Sequence, residues 1–120
     1  MNTTNKVFVY YNLHKHCWSV KALDGEHKGR VIAHRNEVVL RNPVGRVSEA
    51  GRQRVLLEKR KNVHAGIVGE WRPDANILLW EGDEITYNPY RFTQFVYADN
   101  HSPFTGASLA LMSNRQVLVI

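Results

Sequence analysis

Histidines and basic side chains are the residues of this sequence whose types and spacing could do chemistry. A metal-independent ribonuclease needs two imidazoles, one to take the proton of the 2′-hydroxyl and one to protonate the leaving oxygen, with a cation over the developing phosphorane charge. The candidate catalytic histidines are His14, His16, His34 and His64. No spacing singles out one pair among them. A histidine-dependent nuclease is therefore kept only as an alternative, and we lean towards a protein that is not an enzyme.

A metal site is the second chemistry that these histidines suggest. Alternate side chains of a strand face the same side, so His14 and His16 could share a metal that a third histidine completes. Lys15, however, brings a positive charge to the same place, and no Asp or Glu lies nearby in sequence to orient the ligands. Cys17 is the only cysteine and cannot form a cysteine-based zinc cluster. We predict no metal and no cofactor.

Binding of an anion without catalysis is the interpretation that we favour. Lys and Arg neutralise phosphates, aromatic faces stack on bases, and sheets that present both often bind nucleic acid. Basic segments alternate here with strands that carry Tyr10, Tyr11 and Trp18. The basic run of residues 59–61, close to His64, holds more positive charge than the end of a helix requires. The predicted ligand-binding residues are Arg30, Arg35, Arg52, Arg54, Lys59, Arg60, Lys61, His64, Tyr87 and Tyr90.

Two of these residues are tyrosines that flank a short turn motif. Asn88-Pro89 between Tyr87 and Tyr90 imposes an extended or turn geometry and fixes two phenol rings at a strand end. The rings could clamp a planar base or a peptide. They could also close the core, which is the commoner use of such rings.

The charge of the chain is distributed unevenly between its two halves. Residues 1–64 contain 13 Lys and Arg and 5 Asp and Glu, a net charge of +8, whereas residues 65–120 contain 3 and 6, a net charge of −3. Five of the six histidines also lie in the basic half. This asymmetry indicates an anionic ligand or an acidic partner protein, although the two halves could also attract one another within the fold.

One small domain must position these residues. Its 120 residues leave no room for a second domain, and no run approaches the roughly 20 apolar residues of a membrane span. The polar residues 1–5 should be loose and do not resemble a signal peptide. A break is predicted at 42–45. Strands are predicted over 6–11, 17–23, 30–34, 37–40, 66–71, 76–80, 84–87, 92–97, 109–112 and 116–120.

A single helix is predicted over residues 48–62. Ser48 stands at the N-cap position, and the negative charge of Glu49 suits the first turn. The apolar stripe is poor. Either the helix contacts something anionic on one side and the sheet on the other, or it packs only around Ala50, Gln53, Leu56 and Leu57. The sequence therefore predicts an α+β domain with a mostly antiparallel, curved or barrel-like sheet and one basic helix.

Four segments of the chain resemble a family of small uncharacterised proteins of bacteriophages and prophages. The segments are YNLHKHCWSV at 11–20, GRVIAH at 29–34, RKNVHAG at 60–66 and ITYNPY at 85–90. The resemblance covers nearly the whole chain and brings no known activity or site with it. It implies a phage product that acts in the cytoplasm of a bacterial host cell on nucleic acid, a nucleotide or a host defence component.

The function that these observations favour is an accessory protein that binds nucleic acid or a nucleotide through a face of Lys, Arg and His, without catalysis. One alternative is an inhibitor that docks on a host defence protein. Such a protein could form homo-oligomers by pairing of edge strands. The metal-independent nuclease is the other alternative, and no membrane is expected as a partner.

Overall fold

Nine strands and one helix are present in the computed structural model, which describes residues 5–59, 63–75 and 81–120. In chain order the elements are β1 (Lys6–Asn12), β2 (Cys17–Ala22), β3 (Val31–Arg35), β4 (Val38–Val47), α1 (Glu49–Glu58), β5 (Ala65–Trp71), β6 (Asp83–Thr86), β7 (Val96–Tyr97), β8 (Leu109–Ser113) and β9 (Gln116–Val119).

The nine strands of the described residues form one sheet in which neighbouring strands are antiparallel. The order across the sheet is β3-β2-β1-β5-β4-β8-β9-β6-β7, with β3 and β7 at opposite edges. The predicted α+β class and antiparallel pairing are confirmed. The edge strands do not pair with each other, so the sheet is open and the barrel-like alternative is wrong. A curved sheet stays a prediction.

The hydrophobic core lies on one face of this sheet. Val9 lies opposite Val20 on β2 and opposite Ile67 on β5, and all three side chains are buried. Leu40 on β4 and Met112 on β8 extend the same buried cluster across the sheet. Successive residues of a strand point to opposite faces, so one apolar residue in two is enough to build such a face. Each large aliphatic side chain buried in this way contributes roughly 1.5–3 kcal/mol.

Two hairpins connect neighbouring strands of the sheet. β1 and β2 pair up to Asn12, whose Oδ1 accepts hydrogen bonds of 3.0 Å from the backbone N–H groups of His14 and Lys15. Asn114 and Arg115 alone connect β8 to β9, and both have positive φ, 44° and 63°. Two-residue turns with this backbone match the twist of the strands that they join.

The predicted break at 42–45 is wrong, because β4 continues through it. The pairing with β5 shifts register between Arg41 and Val44, so a bulge absorbs the irregular residues. Asn42 adopts a φ of 52° there and donates its backbone N–H to the Ser108 carbonyl at 2.9 Å. Pro43 is buried at the bulge, where its lack of an N–H is tolerated.

The predicted strand over 92–97 is mostly wrong, because only Val96–Tyr97 is a strand. The Asn88 carbonyl accepts hydrogen bonds from the backbone N–H groups of Arg91 and Phe92, at 3.0 and 2.8 Å. These bonds turn the chain after Pro89 and shorten the strand that follows. The predicted strand over 76–80 lies outside the described residues.

Helix α1 begins where the sequence predicts and ends earlier. The Ser48 hydroxyl accepts a hydrogen bond of 3.2 Å from the Gly51 N–H, which confirms the N-cap. The helix stops at Glu58, because Lys59 adopts a left-handed conformation and donates its backbone N–H to the Val55 carbonyl. The end predicted at Asn62 is therefore wrong.

One of the two alternatives for α1, packing around Ala50, Gln53, Leu56 and Leu57, is wrong. Its buried residues are Gly51 and Val55, whereas the Leu57 side chain is 80% exposed. A Cβ at Gly51 would lie only 2.6 Å from the Cβ of His64, so the glycine allows the residues before β5 to approach the helix. The close approach is made through Gly51 rather than through the predicted set of Ala50, Gln53, Leu56 and Leu57.

One ion pair links the two halves of opposite charge. Arg41 Nη2 on β4 lies 2.6 Å from Glu70 Oε1 on β5, and Arg41 Nε donates to the same oxygen at 3.1 Å. The hydrogen bond from Arg41 lowers the pKa of the Glu70 carboxyl below its usual value. The stabilisation is therefore present above the usual pKa of Glu and is lost as the pH falls through the lowered value. The pair is exposed, so solvent screens it and its contribution is modest.

Replacement of Gly66 by Ala should destabilise the fold. A Cβ at Gly66 would meet the carbonyl oxygen of Val9 and lie 2.8 Å from Cζ of Phe8. Because the β1 backbone is paired on both sides, we expect Gly66→Ala to lower the free energy of unfolding by about 1–3 kcal/mol in urea denaturation. Gly45→Ala is the comparison and should cost less, since the three atoms nearest to its new methyl belong to the Phe95 side chain and not to paired backbone. Equal losses in the two variants would contradict this account.

Candidate functional site

A groove of about 960 Å³ lies between parts of the chain that are far apart in sequence. One wall comes from the end of β1 and its hairpin, together with the end of α1 and residues 63–65. The other wall comes from residues 87–90 after β6 and from Arg115 in the β8–β9 turn. Loops and strand ends held by a sheet in this way often carry binding residues. We call this feature the groove.

Four of the five tyrosines line the groove. Tyr10 and Tyr11 come from β1, and Tyr87 and Tyr90 flank the Asn-Pro motif. The Tyr90 side chain is 61% exposed. Tyr11 packs its ring edge-on against Trp18, with centroids 5.3 Å apart. The groove therefore presents phenol rings from two separate segments of the chain.

Four basic or protonatable side chains also line the groove, namely His14, Lys59, His64 and Arg115. The guanidinium carbon of Arg115 lies 5.0 Å from the centroid of the Tyr11 ring, within range of a cation–π interaction. None of the 11 Asp and Glu side chains lines the groove. Its charge is therefore of one sign, which suits an anionic ligand.

A hydrogen bond between His64 and Tyr87 joins the two walls. His64 Nε2 lies 2.8 Å from Tyr87 Oη, and the ring centroids are 5.5 Å apart. Tyr87 also stacks on Phe95, with centroids 5.3 Å apart, and Phe95 packs against the core. Burial raises the pKa of Tyr87 above its usual value. Tyr87 therefore packs towards the core and also lines the groove.

Arg52 holds the segment that carries the second pair of tyrosines. Its Nε donates to the carbonyl oxygens of Pro89 and Phe92 at 3.0 and 3.1 Å, and its Nη1 lies 3.2 Å from Glu49 Oε2. The Arg52 side chain is only 14% exposed. This predicted ligand-binding residue is thus engaged in positioning the turn after Tyr87.

The structure distributes the other predicted ligand-binding residues over the molecule. Lys59, His64, Tyr87 and Tyr90 meet in the groove. Arg30 and Arg54 are exposed outside it, and Arg35 lies over the Trp71 ring with its guanidinium carbon 5.7 Å from the centroid. Arg60 and Lys61 lie outside the described residues. The sequence analysis did not identify Arg115, which lies in the acidic half of the chain. The only sequence signal for it is a two-residue turn in which arginine follows asparagine at the position where glycine is usual.

The four histidines predicted as candidate catalytic residues also lie in different places. His14 and His64 line the groove, whereas His16 does not. His34 Nδ1 lies 2.9 Å from the hydroxyl of Ser19, which is fully buried and also accepts a hydrogen bond from the Asn12 amide. His34 therefore belongs to a polar network on β1, β2 and β3 rather than to the groove.

Two other features are absent from residues 5–59, 63–75 and 81–120. These residues contain no group of three or more His, Cys, Asp or Glu that could hold a metal ion. They also contain no helix that is long and apolar enough to cross a membrane. A second cavity, of about 210 Å³, lies beside Arg35, Trp71 and Arg72, but Glu37 also lines it and offsets part of its positive charge.

Two comparisons with known proteins agree. A sequence model of the family described as Mycobacterium phage L5 gene 82 protein matches residues 1–120. The Gene 82 protein of Mycobacterium phage L5 is 44% identical over 120 aligned positions, which cover 93% of this chain and 93% of the relative. No solved structure matches the chain.

Tyr87 should ionise at a higher pH than the usual pKa of a tyrosine. Burial disfavours its phenolate and raises the pKa of Tyr87 above 10.0, so its stabilising contribution is present below that value and is lost as the pH rises through the raised one. An alkaline titration followed by phenolate absorbance should show one late component, which Tyr87→Phe removes. Tyr90→Phe, which deletes an exposed phenol, should leave that component in place. Its persistence in Tyr87→Phe would contradict the assignment.

Proposed function

We propose that this chain, which belongs to the family of the Mycobacterium phage L5 gene 82 protein, is a phage accessory protein that binds nucleic acid or a nucleotide in the groove, without catalysis. The observation that carries this proposal is the composition of the groove: four tyrosines and four basic or protonatable residues, with no carboxylate. Phosphates are bound by cations, and bases stack on aromatic rings.

Electrostatics supports this ligand over a neutral one. Lys59 and Arg115 approach the groove from different elements, the end of α1 and the β8–β9 turn. An anion between them is attracted by both, and a phosphate offers oxygens to Lys and Arg alike. Arg115 also lies against Tyr11, so a cation and an aromatic face are adjacent at one point of the groove. A nucleotide carries the two complementary groups, phosphate and base, next to each other.

Docking on a host defence protein is the alternative of another class. The salt dependence of binding distinguishes such docking from the proposed function, because release of counterions makes phosphate binding weaken steeply between about 50 and 200 mM salt. An apolar protein contact should change little over that range. Pairing of copies through the edge strands β3 and β7 likewise stays a prediction.

The nuclease is the second candidate, and one observation favours it. Of the four histidines predicted as catalytic, His14 and His64 line the same groove as Lys59 and Arg115, which could stabilise a phosphorane. His64 Nε2 is, however, already hydrogen-bonded to Tyr87. A general acid or base must have a nitrogen within reach of the reacting oxygen, so binding without cleavage is the function that we place first.

Removal of the two groove cations should weaken binding far more than removal of two other cations. We expect Lys59→Ala/Arg115→Ala to raise the Kd for a fluorescein-labelled 12-nucleotide DNA, and for a fluorescent ATP analogue, by at least about tenfold in anisotropy titrations at 100 mM salt. The control is Arg30→Ala/Arg54→Ala, which removes the same charge from exposed positions outside the groove. Its Kd should stay within about twofold of wild type.

The salt dependence of the same variants identifies the lost contacts. For single-stranded DNA, two lost phosphate contacts should reduce the slope of log Kd against log salt by about 1.4. Equal losses of affinity in the two double variants would mean that net charge, not the groove, is responsible. Absence of binding by the wild-type protein to both probes would overturn the proposal.

Labelled RNA should remain intact when it is incubated with the protein in EDTA. A histidine mechanism needs no metal, so chelation would not hide it. Cleavage that disappears in both His14→Ala and His64→Ala would replace the proposed function by the nuclease. Cleavage that survives both substitutions would indicate a contaminating enzyme and leave binding without catalysis as the function.

A further inference from the structure

Two cations of the groove occupy backbone conformations that L-amino acids avoid. Lys59, at the end of α1, has a φ of 55° and a ψ of 34°. Arg115, the second residue of the β8–β9 turn, has a φ of 63°. Glycine is the preferred residue at both kinds of position, because a side chain destabilises the left-handed region.

The residue types make these two positions unusual. In the described part of the chain, six residues other than glycine have positive φ: His16, Asn42, Lys59, His101, Asn114 and Arg115. Asn and His are enriched in this region, and the short Asn side chain can bond locally. Lys and Arg have no such advantage, yet both of them line the groove.

Polar contacts within the fold do not hold the two charged groups. Among the described residues, neither the ammonium group of Lys59 nor the guanidinium of Arg115 forms a hydrogen bond or ion pair, and the guanidinium lies against the Tyr11 ring. Residues held in sparsely populated backbone conformations cluster at functional sites. Their placement is explained if an anion in the groove binds both.

The size of the groove bears on which anion this is. Pockets for one small ligand have volumes of about 300–1,000 Å³, and the groove, at about 960 Å³, lies at the upper end. Exposed residues line it on both walls, among them His14, Lys59 and Tyr90, so a chain can enter and leave. Phenol rings stand at two separate segments, β1 and residues 87–90, where more than one base could stack.

On the premise of the proposed function, we infer that the groove binds single-stranded nucleic acid, and that Lys59 and Arg115 occupy left-handed positions because they contact its phosphates. A duplex hides its base faces in its own stack and cannot use the tyrosines, whereas a single strand offers both bases and phosphates. A mononucleotide supplies only one base for tyrosines that lie at two separate segments of the chain.

Glycine substitutions measure separately how much the two left-handed residues destabilise the fold and how much their side chains strengthen binding. Lys59→Gly and Arg115→Gly should each raise the Tm, because they relieve the left-handed strain, and should each raise the Kd for fluorescein-labelled (dT)₁₂ by about fivefold or more. His16→Gly is the matched control: its φ is 54°, and it lies outside the groove. It should raise the Tm and leave the Kd unchanged. A lower Tm in the two groove variants, or a higher Tm with unchanged Kd, would overturn the inference.

A comparison of ligands tests the preference for single-stranded nucleic acid separately from the proposed function. Affinity should rise from AMP through (dT)₂ to about (dT)₄, then level off, and a 12-base-pair duplex should bind more weakly than (dT)₁₂. A parallel series of (rU)ₙ shows whether RNA or DNA is preferred. AMP binding as tightly as (dT)₁₂, or a duplex preferred over the single strand, would refute the inference and leave the proposed function standing. Failure of every probe to bind would refute both.

Discussion

Burial of one apolar face of a single antiparallel sheet is the constraint on which the rest of this structure depends. Helix α1 buries only Gly51 and Val55, so it cannot cover nine strands. The inward residues from Val9 on β1 to Val117 on β9 nevertheless belong to one core cluster. The strands themselves therefore supply most of that core, and strand ends and loops are left for other uses. The groove is built from those ends and loops.

A short link adds to this constraint. Two residues join Arg35 at the end of β3 to Val38 at the start of β4, although four strand spacings separate these strands in the sheet. Three Cα–Cα steps reach at most about 11 Å, whereas four spacings in a flat sheet measure about 19 Å. This difference favours the predicted curvature. The contact between Arg115 and Tyr11 favours it too, because β1 and β8 lie three places apart in the sheet.

The segments that line the groove are distant in sequence, and side-chain contacts hold them together. The Arg52 side chain bonds the backbone at Pro89 and Phe92, and the hydrogen bond between His64 and Tyr87 joins the two walls. These contacts use side chains that could otherwise bind a ligand. The groove is left with tyrosines and with two cations, Lys59 and Arg115, whose backbone lies in the left-handed region.

The sequence by itself determined the local features of this protein. A run of β-branched and aromatic residues placed β1, alternation placed β2, and Ser48 marked the start of the helix, because strand propensity, strand periodicity and capping depend on neighbours in the chain. The same reasoning failed where distant groups intervene, as at the bulge beside Pro43.

The candidate site shows the same division. The sequence named Lys59, His64, Tyr87 and Tyr90, since basic runs and Tyr-Asn-Pro-Tyr are visible in one dimension. Only the tertiary structure separated these from Arg30, Arg35 and Arg54, and only it added Arg115 from the acidic half. Which charges share a surface depends on strand order and on how the sheet buries its apolar face, and neither is encoded by local spacing.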